Sequence, residues 1–563
     1  MRVRPKEPKE DTSMGTSRDG FEVVNSMLGV DETRRAFLKT LGWSAAALAV
    51  SQALPFGTVP LAFGQQPKRG GTIKIGIWTN IDTLDPHNTT SIAATAIHNN
   101  IYNGILKISY DGKEVRFVPD LAKEWEIIGD RVHVFRFHQG VTFHNGDPFT
   151  AQDVQWNLER VKDVKQAPIH AWKLKLLEKI DILDDHTVRL TFEKPYPFLR
   201  VAFTGSTGRA GTIVSRKAVE QWGKDYGRHP VGTGPFKFVE WKEADYIQLE
   251  RHPQYFETGD DGKPLPYLDK VQLKFIVEPS TLVAAVQSGE VDGINNAAPQ
   301  FVALLRKNPN LSVYTLVGGN WRHITFNCAK EPFSDINLRR AIAYGINREE
   351  ILKQVQFAEG IVAYGPISPP MTGFYDPEFG KNKEGQYYDI ELAKAQLQKS
   401  RYPNGTEALL LSTNAGYAPR QAEVVQAQLT KLGIKVNISL NDFPTFRKRW
   451  LEERQWDIVQ GQWDADLDPD ETLYPELHSK ETWNAGRWIN PEFDRLVELA
   501  QVEADAKKRK QYYDAAVKVI VDEAPAAVIL HENEQKIFAK YVKNFQTIPA
   551  NSIDMHRVWL EKA

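Results

Sequence analysis

The chain has 563 residues, more than one ordinary domain, and carries 70 Lys and Arg against 72 Asp and Glu, a formal charge of −2. That balance excludes the basic excess of a nucleic-acid binder, and 42% hydrophobic with 25% charged residues excludes a disordered chain. A single cysteine, Cys328, excludes an intrachain disulfide and a cysteine-built zinc cluster.

Residues 1–30 are polar and show no sustained periodicity. The next segment, Thr33 to Lys39, sets Arg34 and Arg35 before Ala36, Phe37 and Leu38 and resembles a twin-arginine export motif. A mildly apolar stretch from Leu41 to Leu54 follows, interrupted by Ser44, Ser51 and Gln52 and closed by Pro55. It is too short for a membrane span, which takes about 20 apolar residues. Ala62 and Gly64 place a cleavage point before Gln65 with no cysteine beside it. The expectation is a soluble periplasmic protein, not a lipoprotein, exported in folded form by the twin-arginine machinery. Loss of residues 1–64 removes eight basic and seven acidic side chains and leaves a charge of −3.

Strand patterns come first in the remaining chain. Ile73, Ile75 and Ile77 alternate with smaller or polar residues, as do Val132, Val134 and Phe137, then Val188, Leu190 and Phe192, then Val271, Leu273, Phe275 and Val277. Helices and strands alternate afterwards. The spacing predicts helices over 338–355, 390–400 and 420–432, the last stopped by Gly433, and a strand through Ile434, Val436, Ile438 and Leu440. A helix over 446–454, a strand at 457–459 and helices over 493–503 and 507–522 complete an α/β lobe.

Catalytic and cofactor motifs are missing: there is no Gly-x-Ser-x-Gly, no phosphate loop, and no His-Glu-x-x-His. His133, His138 and His144 are close in sequence, but the odd spacing of the first two turns them to opposite strand faces. No metal or cofactor is expected. The densest polar run is Trp463-Asp464-Ala465-Asp466-Leu467-Asp468-Pro469-Asp470. It resembles a calcium loop, but Pro469 replaces the required glycine and Pro475 the closing glutamate. Two readings remain: a solvated acidic turn, or an aromatic wall with a carboxylate that receives a cation.

Several segments together resemble the large extracytoplasmic solute-binding proteins of ABC importers, family 5, of the dipeptide, oligopeptide and nickel class. They are Leu84-Asp85-Pro86, Ile101 to Leu106 (matched to a helix of the family), Pro119 to Trp125, Phe135 to Val154, Val231 to Phe236, Ser288 to Asp292, Pro332-Phe333 and Leu338 to Ile342, in the family's order. The resemblance implies an α/β, two-lobe periplasmic-binding-protein fold (type II, cluster C) with a subdomain on lobe I and a hinge. Lobe I would be 65–91, 230–319 and 528–563, the subdomain 92–229, and lobe II 320–527. It implies a monomer that delivers a peptide or peptide-like solute to permease subunits. The ligand residues carried over are Asp466 as amine acceptor, Trp463 as wall, and Asp464, an added acid. Asn295, Asn296, Asn320, Trp321, Phe443, Tyr417 and Trp172 are further contacts. A nickel chelate, opine or oligosaccharide is the alternative solute on the same fold. An exported glycoside hydrolase is the remote alternative, because acids clustered in one turn do not flank a bond at a set separation.

Overall fold

The computed structural model describes residues 66–562 other than 90, 168, 465 and 466. Arg34, Arg35, Phe37, Leu38 and Asp466 lie outside the described residues.

Strict alternation translates into strands. Ile73, Ile75 and Ile77 are buried on Thr72–Ile77, and Val188, Leu190 and Phe192 on Thr187–Phe192. Strand Lys270–Phe275 stops before Val277, which is 55% exposed. The reason is local: Glu278 accepts from Thr281 N at 2.6 Å and Pro279 opens a helix, so the chain turns at once. The predicted helix over 338–355 is two helices, Ile336–Gly345 and Arg348–Gln354. Asn347 breaks it by capping the second, its Oδ1 accepting from Glu350 N at 3.1 Å. Of residues 101–106 only Ile101 is helical: the helix is Ile92–Ile101, and the segment after it leads into strand Leu106–Tyr110.

Among the described residues, twelve strands form one sheet. Across it the order is Lys435–Asn441, Glu407–Thr413, Ile458–Asp464, Asn320–Phe326, Ala526–Ala539, Gly293–Ile294, Thr72–Ile77, Lys270–Phe275, Tyr246–Arg251 and Phe236–Lys242. Leu311–Val317 and Gly360–Val362 pair with the long strand outside this path. A separate antiparallel sheet of four strands, between residues 122 and 192, has its own hydrophobic core within 105–213. Helix Ile92–Ile101 packs into the core of the first half of the large sheet, and the second half has a core drawn from residues 324–530.

The long strand joins the halves. Its residues 526–530 pair with Asn320–Phe326, and 533–539 with Leu311–Val317. Its start and end are apolar, but His531, Glu532, Asn533, Glu534, Gln535 and Lys536 make an uninterrupted polar run between them. A strand buried along its whole length would be apolar throughout. The polar run marks where the sheet leaves one core for the other.

Candidate functional site

The register of the long strand sets the site. In the first half, Thr72–Ile77, Lys270–Phe275 and Gly293–Ile294 are parallel, and Ile294 lies opposite Ile537. In the second half, Glu407–Thr413, Lys435–Asn441 and Ile458–Asp464 are parallel. Asn320 and Trp321 pair with Asp464 and Trp463. The carboxyl ends of both parallel sets therefore point at each other over residues 531–536. Ligands of open parallel sheets bind in the crevice outside such carboxyl ends.

Predicted residues from distant parts of the chain lie at or beyond these strand ends. Asn295 and Asn296 follow the first set; Tyr417, Phe443 and Asp464 end or follow strands of the second. Among the described residues, Asn295 is fully buried with both amide atoms unpartnered, and Asn296 Oδ1 is also unpartnered. A buried polar group left unmet costs roughly 1–3 kcal/mol, so these amides are placed to receive a ligand or water.

Asp464 meets Arg322 Nη1 at 3.2 Å, and Arg322 Nη2 bonds Glu532 on the long strand. Gln356 Nε2 donates to the other Glu532 oxygen at 2.7 Å. Burial opposes the charge on Arg322, but Asp464 and Glu532 outweigh it and hold the guanidinium above its ordinary pKa. Loss of hydration raises the Asp464 carboxyl, with Arg322 pulling the other way. Burial also raises Glu534 and lowers Lys536, which bonds Asn551 at 2.8 Å. Burial likewise raises the Tyr417 phenol, beside Arg322 and Glu532. Asn320 is occupied by the backbone: Oδ1 accepts from Glu532 N at 2.7 Å and Nδ2 donates to Glu532 O at 3.2 Å. Gly318 leaves room for that clasp, because a Cβ there would sit 2.3 Å from Asn320 Nδ2.

Trp463 is half-buried, donates to Glu471 O at 3.0 Å and meets Trp483 edge-on at 5.6 Å. Trp321 is a core residue, stacked on His323 at 4.0 Å with its indole N–H unpartnered. Phe443 is 62% exposed against Phe446. Trp172 stacks on Phe198 and, with Lys175, Pro475 and Trp483, lines an open cavity of about 380 Å³. Two acids of the run, Asp468 and Asp470, are buried. Asp468 caps helix Pro469–Leu477 and grips Arg509 through both oxygens, at 2.7 and 2.6 Å. Asp470 is buried and bonded by Gln501, and burial lifts its pKa to about 6. Cys328 is packed against two cores, and burial pushes its thiol up to about 11. Sequence reasoning missed Arg322, Gln356 and Glu532. The six-residue polar run inside a strand was the signal that marks Glu532.

The family model for bacterial extracellular solute-binding proteins, family 5, matches residues 116–484, and the chain belongs to that family. It is 26% identical over 488 residues to the glutathione-binding protein GsiB of Pectobacterium atrosepticum, covering 84% of this chain and 91% of the relative. The periplasmic binding protein DppA of Helicobacter pylori, solved with the peptide STSA, is 26% identical with a TM-score of 0.76 over 88% of this chain and 99% of DppA. AgaA from A. tumefaciens R10, solved with agropinic acid, is 25% identical with a TM-score of 0.77 over 88% and 99%. The fold is the two-lobe α/β fold of these proteins, and the chain is the substrate-binding component of an ABC importer rather than an enzyme.

Proposed function

We propose that the chain captures a peptide or peptide-like solute in the crevice over residues 531–536 and delivers it, in the periplasm, to the permease of an ABC importer. The observation that carries this reading is the convergence of two sets of strand carboxyl ends, with the unmet amides of Asn295 and Asn296 on one side. The ligands named for DppA, GsiB and AgaA support a small polar solute. Asp466 receives the solute amine in this reading, with Trp463 beside it. Lobe I comprises 65–91, 230–319 and 528–563, the subdomain 92–229 and lobe II 320–527. Helix Ile92–Ile101, which opens the subdomain, packs into the core of lobe I. The chain acts as a monomer without a lipid anchor and leaves the cytoplasm by the twin-arginine route.

Calorimetry with glutathione and short peptides is the test. Asp466→Ala should weaken an amine-bearing peptide about tenfold or more, the scale of one charge-assisted hydrogen bond, with no change in melting temperature. Unchanged affinity sinks the amine-acceptor role. Export is tested separately: Arg34→Lys with Arg35→Lys should leave the protein in the cytoplasm, and normal periplasmic recovery would refute the route.

A further inference from the structure

The cavity of about 380 Å³ at Trp172 lies between two parts of the molecule. Residues 162–175, beside the core of the four-stranded sheet, form one wall, and residues 475–483 of the second half form the other. Lys173, within the first wall, bonds Glu471 of helix Pro469–Leu477 and ties the walls together. Trp172 and Trp483 line the cavity from opposite walls, and both are half-buried. Each indole is held by other rings: Trp172 stacks on Phe198 at 5.5 Å, and Trp483 lies 5.6 Å from Trp463 and 6.0 Å from Trp450. Val164 extends the apolar lining to the rim, where it is 65% exposed. A large apolar side chain so exposed, next to two half-buried indoles, leaves apolar surface for a ligand to cover.

Trp483 is also the link to the crevice. Its ring meets that of Trp463, near the carboxyl end of strand Ile458–Asp464, and Trp463 pairs there with Trp321. A solute held at these strand ends is therefore one indole away from the cavity. Ligand pockets run from roughly 300 to 1,000 Å³, so this one has room for a single ring and not for an extended peptide. The charged groups of the lining are Lys162, Lys175 and Glu481, two cations against one anion. Lys175 Nζ already rests 4.0 Å over the Tyr474 ring. Such a lining opposes a cationic group, whereas an aromatic ring gains from the indoles and from a nearby ammonium.

We propose that this cavity is the pocket for an aromatic side chain of the transported solute, with Trp172 and Trp483 as its specificity-determining residues. This rests on the reading that a peptide-like solute lies in the crevice. A ring in the cavity touches both walls and so favours the closed state. Calorimetry tests the pocket with trialanine and with its variants carrying one phenylalanine or one leucine at each position. In the wild type the best phenylalanine peptide should bind about tenfold tighter than trialanine, and tighter than its leucine counterpart. Trp172→Ala should remove most of that gain and leave trialanine unchanged. Since Trp172 also supports Phe198, Thr482→Trp gives a second reading: it fills the cavity from an exposed wall position and should abolish the gain with no change in melting temperature. An equal gain from leucine, or a phenylalanine gain that survives in the folded variants, overturns the pocket. If the wild type binds none of these peptides, the peptide reading falls, and native mass spectrometry of the protein from its own periplasm decides the pocket. A co-purified solute that carries an aromatic ring and is lost from Thr482→Trp upholds it. A solute without a ring, a ring-bearing one retained by Thr482→Trp, or no solute at all overturns it.

Discussion

Asp468 shows how one side chain in an acidic run acquires a structural task. It caps helix Pro469–Leu477 and holds both guanidinium nitrogens of the buried Arg509. Asp468→Ala strands that cation, and losing one partner of a buried pair costs roughly 3–5 kcal/mol. Urea unfolding should show a loss of that size. The double variant Asp468→Leu with Arg509→Met should recover much of it, since no charge is then left unpaired. Nothing in the local spelling separates Asp468 from Asp464 or Asp470. The difference lies in partners: Arg509, Arg322 and Gln501, each far along the chain.

At the scale of elements, the C-terminal segment is pinned by charge. His556 Nδ1 lies 2.5 Å from Asp554, and its Nε2 is 3.7 Å from Glu257, which Lys107 and Arg557 also bond. Burial opposes the charged imidazole, but Asp554 and Glu257 outweigh it and raise its pKa above 6.5. Burial also opposes the Glu257 carboxylate, yet Lys107 and His556 hold it at about 2. The signs follow from proton linkage. The histidine's contribution is complete below pH 6.5 and is lost as pH rises through the raised value. The glutamate's is complete above its ordinary 4.5 and is lost as pH falls toward 2. Melting temperature should therefore fall on both flanks; His556→Gln should flatten the alkaline one and, because His556 also holds Glu257 down, reduce the acid one. The helices and strands themselves were legible from periodicity. Their ends were less so, because caps such as Asn347 and Glu278 act through one hydrogen bond that periodicity does not register.

For the whole molecule, the buried Lys173–Glu471 pair ties the 105–213 core to the second lobe, and Arg306–Glu359 makes a second bridge. Both favour a closed arrangement, and the clasp of Asn320 on Glu532 lies where the lobes share a strand. Lys173→Met removes one tie and leaves a carboxylate unpaired at the contact. Small-angle scattering should then show a larger radius of gyration without solute, and apparent affinity should drop by about the factor by which the closed population falls. An unchanged radius and affinity would show that the pair plays no part in closure.

By itself the sequence determined the family, through motifs in order, and most of the elements, through periods of two and of three to four residues. It also offered candidate groups for a crevice, Asn295, Asn296, Trp463 and Asp464 among them. Only the tertiary structure decided which acids are consumed in ion pairs, which amides stay unmet, and that the two sets of strand ends face each other over residues 531–536. The reason is physical: periodicity and caps are local, acting over a few residues. Charge pairing and strand register join residues that only folding brings together, as Arg322 joins Asp464 to Glu532.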